Sequence, residues 1–155
     1  DVYKRQNDSD FDWASIAADP EGDHRPRTEL PEFLSKLKQT VTELARVGVQ
    51  PVLMTLPPID GARYLDYICR GGLSRDSIMR WLGDVGCIYR HQELYSDTVA
   101  SFAMREGLPL IDVRRRFLPQ RDLSELISAD GIHLTMPGYR QLFDTLAQWV
   151  VPQLA

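Results

Sequence analysis

From Leu30 the chain reads LPEFLSKLKQTVTELARVG, with apolar residues at 30, 33, 34, 37, 41, 44 and 45. Recurrence at three and four residues predicts an amphipathic helix, stopped by Gly48. The next segment, VQPVLMTLPPI, is a short apolar run closed by Pro57 and Pro58. It predicts a buried strand that ends in a loop. A second cycle follows, in which Ile88, Tyr95, Val99, Phe102 and Ala103 form a helical stripe ended by Gly107, and LPLIDVR reads as another buried strand. A last helix opens near Thr135 and Pro137, since proline suits the first turn. Tyr139, Leu142, Phe143, Leu146 and Val150 are expected to face the core from it. Helix and strand alternating at this spacing predict parallel βαβ units in an α/β sandwich.

Residues 60–86, DGARYLDYICRGGLSRDSIMRWLGDVG, break the rhythm: they have no clean period and hold three aromatics and five glycines. They follow the end of a predicted strand, where an open α/β sheet places its ligand crevice. The segment is therefore a candidate substrate-facing insertion, against the plainer reading of a surface loop with a short packing helix. No internal repeat, low-complexity tract or linker interrupts the chain, so one compact domain is expected.

Composition changes little in this picture. The chain has 155 residues, 43% of them hydrophobic and 26% charged, with a net charge of −4. That length suits one domain, able to bury ~70% of its unfolded surface. The charge points to neither nucleic acid nor an anionic membrane as a partner, and no apolar run reaches the ~20 residues of a membrane span. Cys69 and Cys87 define neither a disulfide framework nor a metal-ligand spacing, which fits a reducing compartment. No cofactor or metal is implied. The opening DVYKRQ has no methionine and reads as translated sequencing-adaptor sequence, so residues 1–6 are expected to be a non-native leader and the domain to run over 7–155.

The chemistry concentrates in SADGIHLTMPGY, residues 128–139, where Asp130 precedes His133 by three. A carboxylate that holds an imidazole makes it a general base able to activate a serine hydroxyl. Gly131 gives the turn between them its backbone freedom. Simpler roles exist for both: Asp130 can hold the turn through its side chain, and His133 can be a half-buried loop residue. A two-ligand metal site lacks a third ligand in spacing. His24 and His91 read as surface residues, the RRRF run at 114–117 as a solvated loop, and Phe11 and Trp13 as either a substrate-facing wall or core.

The block DGIHLTMPGY resembles the C-terminal motif of the SGNH (GDSL-type) hydrolases, esterases and lipases with a three-layer α/β/α sandwich, a flavodoxin-like parallel sheet and an Asp-x-x-His pair. The resemblance implies that His133 is the general base and Asp130 its orienting carboxylate. A second block, NDSDFDW, is similar to the family's G-x-N-D motif and implies an oxyanion-hole role for Asn7, although Arg5 stands where the family has glycine. The middle segments PVLMTLPPI and GLPLIDVR are similar as well. The family's G-D-S serine block is absent. The nine serines are 9, 15, 35, 74, 77, 96, 101, 124 and 128, and GLSRD at Ser74 lacks the final glycine of a nucleophile elbow. The resemblance thus implies the N-terminally truncated remainder of a serine esterase acting on a small-molecule ester, inactive by itself. The rival is a non-catalytic α/β binding or interaction domain that keeps the fold without the chemistry, since one fold hosts many functions.

Overall fold

The computed structural model describes residues 8–153. Seven α-helices and two strands occur among them: α1 (Trp13–Ala18), α2 (Leu30–Arg46), β1 (Leu53–Met54), α3 (Gly61–Cys69), α4 (Arg75–Leu82), α5 (Gly86–Glu106), β2 (Leu110–Ile111), α6 (Arg114–Phe117) and α7 (Met136–Val150). The result is a mostly helical α/β structure around a small parallel sheet, in which Leu53 pairs with Leu110 and Met54 with Ile111.

The ladder is short for a local reason. Pro51, Pro57, Pro58 and Pro109 flank the strands, and proline has no N–H to donate. The bonds Leu53 N–H to Pro109 O at 2.9 Å and Thr55 N–H to Ile111 O at 3.1 Å complete the contact. Beyond it, side chains hold the two segments together: the Thr55 hydroxyl donates to Asp112 at 3.0 Å and accepts from the Arg114 N–H at the same distance.

Helix α2 forms where the stripe predicts, and Phe33 and Leu37 are its buried positions. Helix α5 is the central support. Its buried positions Ile88, Gln92, Tyr95, Ser96, Val99, Phe102 and Ala103 recur at three and four residues, and it ends on Gly107 in the left-handed conformation. Two of its polar side chains fasten the carboxyl end of β1. Ser96 Oγ accepts from the Leu56 N–H at 3.1 Å, and Gln92 Nε2 donates to the Pro57 carbonyl at 3.1 Å. The irregular stretch at 60–86 folds into α3 and α4, capped by Asp60 and Ser74. Ser74, rejected as a nucleophile from its sequence context, accepts from the Ser77 N–H as a helix cap.

Three apolar clusters result. One joins α2, β1 and α5 around Tyr95 and Phe102, and another joins β2, α6 and α7 around Phe117 and Leu142. The third gathers Phe11, Trp13, Ile16, Ile59, Tyr64, Leu65, Ile78 and Ile88 beyond the carboxyl end of β1. Two expectations need correcting. On α7, Phe143 and Val150 are exposed, because the inward face is centred on Leu142 and continues through Tyr139, Leu146 and Trp149. The RRRF run is a helix, not a solvated loop, and its Arg114 is buried and paired with Glu93. No helix of the described residues is long and apolar enough to cross a membrane.

Candidate active site

The turn that carries Asp130 and His133 is built by its own backbone. Ile127 and Leu134 form an antiparallel bridge, the Ser128 N–H donates to the His133 carbonyl at 2.7 Å, and the Gly131 N–H donates to the Ser128 carbonyl at 3.0 Å. Thr135 then starts α7: its Oγ accepts from the Gly138 N–H and donates to the Glu125 carbonyl at 2.6 Å. Gly131 has φ +81° and lies against the start of α3, where the Asp60 N–H donates to its carbonyl at 2.8 Å. Arg63 of α3 clamps the preceding segment, with Nη1 donating to the carbonyls of Ser124 at 3.1 Å and Ile127 at 2.8 Å. The turn is thus docked on the same loop-and-helix segment that follows β1.

Asp130 divides its two oxygens. Oδ1 accepts from the Ser128 hydroxyl at 2.6 Å and from the N–H groups of Ile132 and His133, both at 3.0 Å. Oδ2 lies 2.7 Å from His133 Nδ1. The carboxylate therefore holds the turn and the imidazole together, uniting the two roles that spacing left open. Burial alone pushes this carboxyl up, but the Ser128 hydroxyl, the two backbone N–H groups and the His133 ring outweigh it and hold it far below the usual carboxylate range. An ionised carboxylate only accepts, so it fixes the proton on Nδ1 and the lone pair on Nε2. Side-chain exposure is 49% for His133 against 21% for Asp130, so the ring is the member that meets solvent.

His133 and Ile132 line a pocket of about 190 Å³. Its apolar walls come from Phe11, Trp13, Ile59, Tyr64 and Ile88, and Ser9, His91 and Gln92 supply polar edges. Phe11 and Trp13 belong to the core cluster and also face the pocket. Asp10 fastens this wall: its Oδ1 accepts from the Tyr64 hydroxyl and from Trp13 Nε1, each at 2.8 Å. Burial first, then the Asp10 charge, pushes the Tyr64 phenol well above its ordinary value, so it stays protonated and donating. The segment 60–86 contributes to the pocket through Tyr64. No group of three or more His, Cys, Asp or Glu among the described residues could hold a metal ion. Asn7, expected in the oxyanion hole, lies outside the described residues.

A comparison with solved structures finds the fold similar to that of the lipase/acylhydrolase from Enterococcus faecalis. The TM-score is 0.55 at 18% identity, over 81% of this chain and 53% of that one. The likeness is one of fold. This chain spans about half the length of that protein. No family model matches the chain, and no curated protein does.

His91 and Gln92 are among the pocket residues that sequence reasoning missed. His91 is not a surface residue: it is half-buried, with ring centroids 4.7 Å from Phe11 and 5.3 Å from Tyr95. The signal was present in the stripe, because position 91 lies one helical turn before Tyr95 and one residue from the buried side. His24 is partly buried as well, with Nε2 2.6 Å from the Asp19 carbonyl and its ring centroid 5.8 Å from that of Trp81. Burial lowers the His91 imidazole below its ordinary 6.5. The unfolded chain then takes up a proton at a pH where the folded chain does not, so folding stability falls as pH drops through about 6.5. In urea titrations, the stability advantage of the unaltered protein over His91→Phe should shrink between about pH 7.5 and pH 5. An advantage that stays constant would show that His91 does not fold as a neutral, buried ring.

Proposed function

We propose that this chain supplies the base and the oxyanion donor of a serine esterase of the SGNH type. The observation that carries the reading is the 2.7 Å contact between Asp130 and His133 Nδ1, with the same imidazole bordering an apolar pocket. The acylhydrolase-like fold supports it. In this reading the domain runs over 7–155, the leader 1–6 is foreign to it, and the complete fold is a three-layer sandwich. A segment preceding Asn7 contributes further strands and the G-D-S serine.

The chemistry follows from the protonation states. His133 Nε2 takes the proton as the serine oxygen adds to the ester carbonyl, and Asp130 stabilises the imidazolium that forms. The Asn7 side-chain amide donates to the oxyanion, an interaction worth ~3 kcal/mol of barrier in such sites. His133 then returns its proton to the departing alkoxide, leaving an acyl-enzyme. Water, activated by the same nitrogen, releases the acid. The pocket volume of about 190 Å³ suits a small group beside the reacting carbonyl, below the ~300 Å³ where drug-sized pockets begin.

A fluorophosphonate, which bonds covalently to activated serines, tests this directly. The full-length protein should take up one phosphonyl group on a serine upstream of Asn7 and hydrolyse p-nitrophenyl acetate. The 155-residue chain should take up none. Ser9 is buried and lines the His133 pocket, so a label there would move the nucleophile into this chain. Neither label nor turnover in the full-length protein would leave the fold as a binding domain.

A further inference from the structure

Among the polar side-chain atoms of the pocket residues, two are buried without a hydrogen-bond partner among the described residues. Gln92 is 3% exposed, and donation from its Nε2 to the Pro57 carbonyl orients the amide, so that Oε1 is the end left over. That Oε1 is buried with no hydrogen-bond partner among the described residues, and so is Nε2 of His91. Both residues line the pocket that His133 borders. Buried polar atoms without partners are rare, and a ligand that completes them is favoured over one that does not.

We propose that Gln92 and His91 form a hydroxyl-recognising subsite, so that the pocket takes esters carrying a hydroxyl group of their own. The word ester rests on the reading above; recognition of the hydroxyl does not. Gln92 Oε1 can only accept, so it requires a donor. Burial keeps His91 neutral, and Nε2 is then a donor or an acceptor according to its tautomer. With the proton on Nε2, one hydroxyl donates to Gln92 Oε1 and accepts from His91, whereas an amide N–H can only donate. The flanking rings of Phe11, Trp13 and Tyr64 offer apolar faces to the carbon skeleton between such a hydroxyl and the ester. A plain aliphatic group would satisfy those faces and leave both polar atoms unpaired.

Two isosteric pairs of esters test the subsite by NMR titration of the 155-residue chain. Ethylene glycol monoacetate against propyl acetate places the hydroxyl on the alcohol side. Ethyl glycolate against ethyl propanoate places it on the acyl side. In one pair, the hydroxylated ester should bind about tenfold more tightly, because a site built to bond a hydroxyl rejects the analogue without it. It should also shift the Gln92 side-chain amide and His91 ring signals, which the isostere should leave in place. His91→Phe keeps a ring against Phe11 and Tyr95 and should lower the affinity ratio severalfold, leaving the part that Gln92 Oε1 supplies. Ratios near one for both pairs in the unaltered chain, or a preference that survives His91→Phe undiminished, overturn the assignment. Where the variant does not fold, the Gln92 and His91 shifts in the unaltered chain decide alone: no selective shift overturns it. The hydrolase reading fails separately, by absent turnover of every ester in the full-length protein, an outcome that leaves a hydroxyl preference in binding untouched.

Discussion

His133→Ala in the full-length protein is expected to lower kcat on an acetyl ester by about 10³–10⁴-fold while KM moves little, the effect of removing a general base that acts only in the transition state. The structure supplies a sharper companion variant. In Asp130→Asn, Oδ1 can still accept from Ser128, Ile132 and His133, the three donors that hold the turn. The atom facing His133 Nδ1 becomes an NH₂, which donates where the carboxylate accepted. The imidazole proton must then move to Nε2, and the lone pair that should receive the serine proton is lost. Asp130→Asn should therefore retain most of its stability, losing about 1 kcal/mol with the charge-assisted bonds. Its turnover should nevertheless fall almost as far as that of His133→Ala. The double variant should be no worse than His133→Ala alone, since the two residues act as a unit. Steady-state kinetics with a urea titration of each variant separates these effects. Turnover unchanged by His133→Ala would remove the base from the proposal altogether.

What could be read in advance followed from how local each signal is. Helices α2 and α5 were legible because each carries an apolar stripe over four or more turns, and α7 because Thr135 and Pro137 mark its start. The Asp130–His133 contact was legible because three residues and a glycine turn fix it, whatever the rest of the chain does. Helices α3 and α4 were not, since nine and eight residues give too few repeats for a period to stand out. Phe143 was misplaced because hydrophobicity alone does not choose between neighbouring positions on a helix. On α7 the choice is made by packing against Leu126 and Phe117 around Leu142. The pocket lay furthest from view. It needs Phe11, Ile59, Gln92 and Ile132 brought together from segments far apart in sequence, and no short motif encodes that meeting.

The docking of the turn on α3 carries the second large effect. A Cβ on Gly131 would stand 2.4 Å from the Tyr64 nitrogen, 2.5 Å from the Asp60 carbonyl oxygen and 2.9 Å from the Tyr64 Cα. These are backbone atoms at the start of a helix, so no side chain can swing aside. The positive φ of +81° adds strain for any residue with a Cβ. Gly131→Ala should cost about 3–5 kcal/mol, the sum of a strained conformation and an overpacked contact. Gly48, at φ +77° with nothing within 4 Å, provides the control for strain alone. Gly48→Ala should cost only ~1 kcal/mol. Urea midpoints at constant slope report both, and equal losses would show that the approach of Gly131 to α3 contributes nothing. Relief of the clash has one direction, which is to lift the turn away from Asp60 and stretch the bond from its N–H to the Gly131 carbonyl. His133 is two residues further on, and a displacement of ~1 Å at a reacting group lowers turnover about 10²-fold. Fully folded Gly131→Ala protein, studied well below its midpoint, should therefore remain impaired in turnover while Gly48→Ala does not, because the glycine sets the position of His133 as well as the stability of the turn.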